Sequence, residues 1–176
     1  ISEALIPAMD VVGKEFGDGH IFVPEMLVSA LTMKNGLDVV KPLLVGVETG
    51  SRGTIIMATV RGDLHDIGKN LVAAMLEGGG FEVFDLGVNV PPEKFIETVK
   101  EKNANVIAMS ALLTTTMPAM KTTIDALKQA GIRNQVKVLI GGAPVTQKFA
   151  DDIGADGYAG DGVEAAVKAK VLIGIA

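Results

Sequence analysis

From Leu5 onward the apolar side chains of Leu5, Met9, Val12 and Phe16 recur at helical spacing until Gly17-Asp18-Gly19 stops the run, and Pro7 falls where a first turn tolerates it. The pattern predicts an amphipathic helix. A second helix is predicted from Pro24, with Leu27, Val28, Ala30 and Leu31 as its apolar face, to a break at Asn35-Gly36. A third stretch runs from Leu37 to about Val45 and is bent or restarted at Pro42. Gly46 to Gly53 is rich in glycine and small polar residues, and the periodicity beyond it changes from helical to strand-like. This predicts a boundary that divides the chain into a helical unit, residues 1–48, and a second unit, residues 49–176.

In the second unit apolar strand-like runs alternate with helical segments. Thr54–Val60 precedes Ile67–Leu76, Phe81–Leu86 precedes Glu93–Lys102, and Val106–Ser110 precedes Met117–Ala130. Val136–Ile140 then precedes Thr146–Ile153, and a last short strand near Gly157–Ala159 precedes a helix from about Val163. Strands that are nearly continuous in apolar residues, each followed by a helix, indicate a five-stranded parallel sheet covered on both faces. The expected order is that of the doubly wound, flavodoxin-like α/β fold. In that order the first and third strands are neighbours whose connections leave toward opposite faces, which opens a crevice at their carboxyl ends. The loops after Val60 and Ser110 are expected to flank it.

Composition narrows the chemistry. At 176 residues and 48% hydrophobic content the chain suffices for one filled core and a smaller helical unit. Its 21 acidic and 16 basic residues give a formal charge of −5, which offers no basic face to nucleic acid or to an anionic membrane. No apolar run approaches the roughly 20 residues that span a bilayer, so a cytoplasmic protein is expected. Ile1 stands where a methionine would open a chain, which suggests a fragment or trimmed product of a longer chain. The absence of cysteine excludes disulfides, thiolate nucleophiles and cysteine-held clusters, and two histidines, His20 and His65, are too few for a histidine cluster. One histidine serving a metal inside a cofactor remains chemically open.

The loop after the first strand, Arg61-Gly62-Asp63-Leu64-His65-Asp66-Ile67-Gly68, places a histidine between two acids at the mouth of the crevice. A neutral imidazole can give one nitrogen lone pair to a metal while a carboxylate holds its other N–H and fixes the tautomer. Asp63 is the first candidate for that carboxylate and Asp66 the second. Gly68, at the following helix start, allows close approach of a bulky ligand, as does Gly141-Gly142 at the end of the fourth strand. Ser110 and Thr114-Thr115-Thr116 bring hydroxyls to the end of the third strand. Singly, each piece is matched by ordinary turn and capping chemistry. Together they converge on the ends of the first, third and fourth strands, as a ligand site requires.

These residues resemble the cobalamin-binding modules that share Asp-x-His-x-x-Gly, then Ser-x-Leu, then Gly-Gly. Here the pattern reads Asp63-Leu64-His65-Asp66-Ile67-Gly68, Ser110-Ala111-Leu112 and Gly141-Gly142, in matching order and spacing. The resemblance implies a corrinoid whose own benzimidazole leaves cobalt, with His65 taking its place as the lower ligand. It also implies that Asp63 bonds the distal histidine nitrogen and that Thr116 is the further hydroxyl partner, where methionine synthase has serine. The stretch from Met9 through Phe16 to Phe22-Val23-Pro24 is similar to the helical cap over the upper face of such corrinoids. Phe16 and Val23 then correspond to the pair that shields the cobalt-bound methyl, with valine smaller than the usual leucine. Gly87, Val88 and Tyr158 are candidates for the pocket of the nucleotide tail.

Within that family, Gly-Asp-Leu-His-Asp-Ile-Gly-Lys-Asn and Gly-Gly-Ala-Pro-Val-Thr are most similar to the small corrinoid proteins of methanol, methylamine and methoxylated-compound methyltransferase systems. The resemblance implies a methyl carrier, non-catalytic alone. It accepts a methyl group on cobalt(I) from a substrate-specific corrinoid methyltransferase and presents methylcobalt(III) to an acceptor methyltransferase that serves a thiol or a folate. A reductive activator is a further expected partner. The cap is expected to swing on the segment Gly46 to Gly53. Two other classes share parts of the pattern. The cobalamin module of an adenosylcobalamin-dependent mutase lacks such a cap, and a cobalamin-sensing regulator typically carries a tryptophan that this chain does not have.

Overall fold

The computed structural model, which describes residues 3–40 and 51–175, has runs of buried apolar residues in β1 (Thr54–Thr59), β3 (Val106–Ser110) and β4 (Lys137–Gly141), flanked by the shorter edge strands β2 (Glu82–Asp85) and β5 (Gly157–Ala159). They form one parallel sheet in the order β2-β1-β3-β4-β5, the flavodoxin-like arrangement. Register places Thr59 beside Ser110 and Ser110 beside Gly141, so the ends of β1, β3 and β4 are level.

Alternation along the strands fills two layers. Ile56 and Ala58 with Ile107 and Met109 face α4 (Pro92–Lys102), α5 (Pro118–Gln129) and α6 (Gln147–Ile153), where Phe95, Ile124, Leu127 and Ile153 complete the core. Ile55, Met57, Val106 and Ala108 face α3 (Ile67–Gly78) and α7 (Gly162–Leu172), where Leu76, Ala165 and Ala169 meet them. Helix ends are set locally. Thr146 accepts a hydrogen bond from the Phe149 amide and Asp161 from the Glu164 amide, which start α6 and α7. Asn103 and Gly154 in left-handed conformation end α4 and α6.

The helical unit comprises α1 (Leu5–Gly17) and α2 (Val23–Val40). Here the structure corrects the sequence reading, since α2 passes through Asn35-Gly36 without a break and absorbs the start of the expected third helix. Met33 and Leu37, on either side of that pair, pack into the same apolar cluster with Ile6, Met9 and Ala30. Such anchoring exceeds the roughly 1 kcal/mol that an interior glycine costs a helix. Pro42, the expected continuation to Val45, the boundary at residues 48–49 and most of the glycine-rich segment lie outside the described residues.

The two helices rest on the carboxyl end of α3, at the edge of the sheet opposite the strand ends that carry His65. A Cβ on Gly78 would stand 3.0 Å from Met9 Cε, and one on Gly80 would stand 3.0 Å from Ile6 Cδ1. The apolar seam is flanked by charge. Arg52 donates to both carboxylate oxygens of Asp10 at 3.0 and 2.7 Å, Lys170 donates to Asp10 at 2.5 Å, and Lys34 donates to Glu77 at 2.9 Å. The Arg52 hydrogen bond outweighs partial burial and, with help from Lys170, draws the Asp10 carboxyl down to about 2. Arg52→Ala is expected to weaken this seating by about 0.5–1 kcal/mol, since the pair is partly exposed and screened. Faster amide exchange confined to α1, with the sheet unchanged, is the expected readout.

Candidate functional site

The loop that follows β1 is organised around one buried carboxylate. Gly62, at φ +86, turns the chain, and Asp63 then points inward with no exposed surface. Asp63 Oδ1 accepts from the His65 backbone amide at 3.1 Å and lies 2.7 Å from His65 Nδ1. Its Oδ2 accepts from the amides of Leu112 and Leu113 at 2.8 and 3.3 Å and from Thr116 Oγ1 at 2.7 Å. Burial by itself would raise the pKa of Asp63. The donors from Thr116, His65 and Leu112 overcome it and hold the carboxyl well below the usual carboxylate range. An ionised Asp63 keeps the proton of His65 on Nδ1, which leaves the lone pair of Nε2 free. The His65 side chain is half exposed, and no described protein group bonds Nε2.

His65 stands at the mouth of a slot of about 740 Å³ between α3, α7 and the carboxyl ends of β1, β3, β4 and β5. The slot exists because the strand positions facing it carry small residues, among them Ala108, Gly141 and Ala159, with Gly162 and Ala165 opposite. Its volume lies in the range of small-molecule and cofactor sites. At the mouth Leu64, Ile67 and Leu112 are 69%, 86% and 44% exposed, an apolar collar around the imidazole. Exposed apolar side chains grouped at a concave opening mark a surface that a ligand covers.

Gly142 is held at φ +129, and a Cβ there would come within 2.0 Å of the Ala111 carbonyl oxygen. Because that neighbour is backbone, the clash has no side-chain escape. Gly142→Ala is therefore expected to destabilise the fold by about 2–4 kcal/mol, read from the midpoint of urea unfolding.

Leu64, His65, Asp66, Ile67, Gly68, Ser110, Leu112, Gly141 and Gly142 all line the slot. Asp63 and Thr116 stand behind it and reach it through His65. Asp66, the second candidate for the histidine partner, instead accepts from Asn70 Nδ2 at 3.2 Å. Other expected residues are elsewhere. Tyr158 packs against the core on the α4–α6 side, because alternation in β5 turns Ala159 to the slot and Tyr158 away from it. Thr114 is exposed in the loop before α5 and does not line the slot. Gly87 and Val88 belong to the turn after β2 and are likewise outside it. Phe16 and Val23 lie at the far ends of α1 and α2, which are seated on the opposite edge of the sheet.

The sequence reading missed Ala143, Gly160, Asp161 and Gly162 on the β4 and β5 side, although Gly160-Asp161-Gly162 after a strand repeats the small-residue signal of Gly141-Gly142. It also missed Lys69, a buried lysine in the slot wall that donates to Asn70 Oδ1 at 2.6 Å and is paired with Asp85.

These features suit a corrinoid. A free imidazole nitrogen at the centre of an apolar collar can meet a metal in a broad flat ring, and a deep slot lined by glycine and alanine can take a nucleotide tail. Family comparison agrees. Residues 53–169 match a family model described as a B12 binding domain, and residues 1–41 match a second model with the same description. Dimethylamine corrinoid protein 1 of Methanosarcina acetivorans is 46% identical over 98% of this chain and 82% of its own length. A chain of the methanol:cobalamin methyltransferase complex MtaBC from Methanosarcina barkeri is 34% identical, with a TM-score of 0.87 over 98% of this chain and 66% of that one. A cobalamin-binding protein from Desulfitobacterium hafniense is 36% identical, with a TM-score of 0.79 over 97% of this chain and 80% of that one. With a family model spanning most of its length and a relative of this identity across nearly all of it, the chain belongs to the B12-binding family of corrinoid proteins.

Proposed function

We propose that this chain is a methyl carrier, holding a corrinoid with His65 Nε2 as the lower ligand to cobalt and shuttling the methyl group between partner methyltransferases. The observation that carries the reading is the 2.7 Å contact between His65 Nδ1 and buried Asp63, which leaves Nε2 free at the mouth of the slot. The names of the relatives, corrinoid proteins for dimethylamine and trimethylamine, support a carrier of methyl groups from methylated amines. When bound, the corrinoid supplies a cobalt centre that accepts a methyl group and gives it up again.

The protein's part is to place and bias that centre. Asp63 fixes the imidazole tautomer and orientation, while Thr116 and the Leu112 and Leu113 amides keep Asp63 ionised. Leu64, Ile67 and Leu112 offer the apolar surface around the imidazole on which the corrin ring would rest. No described residue of α1 or α2 lines the slot, so this arrangement leaves the mouth open to a partner.

A substrate-specific methyltransferase loads the carrier, and an acceptor methyltransferase serving a thiol or folate unloads it; a reductive activator restores an oxidised centre. The reading is tested by reconstituting the protein with cobalamin and adding an amine-specific corrinoid methyltransferase with isotopically labelled methylamine substrate. Label on the protein-bound corrinoid, removed on adding an acceptor methyltransferase and its thiol, is the expected result. Binding of adenosylcobalamin to the exclusion of methylcobalamin, with no methyl uptake, contradicts it and favours a mutase module.

A further inference from the structure

Thr59 is the last residue of β1 and has no exposed surface. Its neighbours along the strand, Ile55, Ile56, Met57, Ala58 and Val60, are all apolar and buried. A valine would occupy the same volume at this position without burying a hydroxyl, and a buried hydroxyl is costly unless it is bonded. The backbone of Thr59 needs no help from that hydroxyl. Its amide donates to Gly87 O at 3.0 Å and its carbonyl accepts from the Val90 amide at 3.1 Å. The side chain is spent instead on the loop, where Thr59 Oγ1 donates to the carbonyl oxygen of His65 at 2.7 Å.

His65 is thereby held at three points. Asp63 Oδ1 takes its backbone amide and its ring Nδ1, and Thr59 takes its carbonyl. Asp63 belongs to the same loop as His65 and is itself held by the Leu112 and Leu113 amides and the Thr116 hydroxyl beyond β3. Thr59 ties that loop to the sheet, the rigid part of the molecule, from inside the core. A side chain is aimed well only when the backbone beneath it is fixed, and a small displacement at a coordinating atom has a large effect.

We propose that Thr59 is a positioning residue for His65, setting the height and direction at which Nε2 meets the metal through its hydroxyl bond to the His65 carbonyl. This rests on the reading of His65 as the lower ligand. Thr59 itself does not line the slot.

The test uses Thr59→Val, Thr59→Ala and Thr59→Ser beside the unaltered protein, each reconstituted with cobalamin and reduced to cobalt(II). Electron paramagnetic resonance gives the ratio of histidine-ligated to unligated cobalt, and nuclear magnetic resonance of the cofactor-free protein reports the His65 imidazole directly. Loss of a buried hydrogen bond is expected to lower the ligated ratio about tenfold in Thr59→Val and Thr59→Ala. The His65 ring signals of both cofactor-free variants are expected to shift or broaden. Thr59→Ser, which keeps the hydroxyl, is expected to restore both readouts. A role confined to stability would lower the melting temperature without moving either.

Three results overturn the proposal: full ligation in both Thr59→Val and Thr59→Ala, unchanged His65 ring signals in them, or failure of Thr59→Ser to restore a depressed ratio. In each, histidine ligation in the unaltered protein still stands. Absence of histidine-nitrogen splitting in the unaltered protein is a separate outcome, which removes the reading of His65 and the role of Thr59 with it. Should Thr59→Val fail to fold, the comparison of Thr59→Ala with Thr59→Ser decides the matter alone.

Discussion

His65→Ala is expected to abolish histidine ligation of the bound corrinoid and to slow methyl uptake and release by at least ~100-fold. Groups that only orient a metal ligand already account for about 10–100-fold when removed, so loss of the ligand itself should reach the top of that range or pass it. The fold should survive. The His65 ring is half exposed, and Asp63 retains its bonds to Leu112, Leu113 and Thr116. A change in stability of about 1 kcal/mol or less is expected. Reconstitution followed by single-turnover methyl transfer measures the first effect, and urea unfolding measures the second. Transfer at an undiminished rate would show that His65 takes no part in it.

Asp63→Asn is expected to damage both function and stability. The carboxylate accepts five hydrogen bonds, from the His65 amide and ring, the Leu112 and Leu113 amides and the Thr116 hydroxyl. An asparagine amide keeps one acceptor oxygen and turns an NH₂ group toward donors, leaving buried polar groups unpaired. The expected cost is about 3 kcal/mol in unfolding free energy and ~10–100-fold in methyl transfer through a misaligned imidazole.

The same carboxylate sets an acid limit. Its folded pKa lies below its unfolded value, so the folded state binds fewer protons and Asp63 stabilises the fold most above the unfolded pKa of about 3.9. That stabilisation is lost as pH falls from there through the depressed folded value. Asp63→Asn should therefore flatten the acid limb of a plot of stability against pH. Thr116→Val should flatten it partly, since it removes one of the five donors.

Much of this was legible in the chain because its strands are buried on both sides. Segments such as Ile55-Ile56-Met57-Ala58 and Val138-Leu139-Ile140 read as continuous apolar runs, and their alternation with helical periods determines a parallel sheet. Asp63, His65, Ser110 and Gly141-Gly142 could be located because each ends or follows such a run.

Local pattern failed where tertiary contact decided. Asn35-Gly36 reads as a stop, yet Met33 and Leu37 anchor both sides of it in one cluster, and α2 continues. Tyr158 is the middle residue of β5, and a three-residue strand gives too little alternation to tell its faces apart. The positions of Phe16 and Val23 depend on where two helices are seated, which helical periodicity does not encode. The resting place is marked by Gly78, Gly80 and the Arg52–Asp10 pair, of which only Asp10 is near either side chain in sequence. Thr59 was hidden for the opposite reason, since a threonine inside an apolar run is ordinary strand composition until its hydroxyl is seen to reach His65.

The most direct test of the central claim is the electron paramagnetic resonance spectrum of the cobalt(II) form, recorded on protein carrying heavy-nitrogen histidine and on unlabelled protein. A change in the nitrogen splitting on labelling, absent in His65→Ala, is the result expected if His65 Nε2 is the lower ligand. A splitting pattern that labelling leaves unchanged, in protein that has taken up its corrinoid, would contradict it, because the axial nitrogen would then come from the cofactor's own base or be absent.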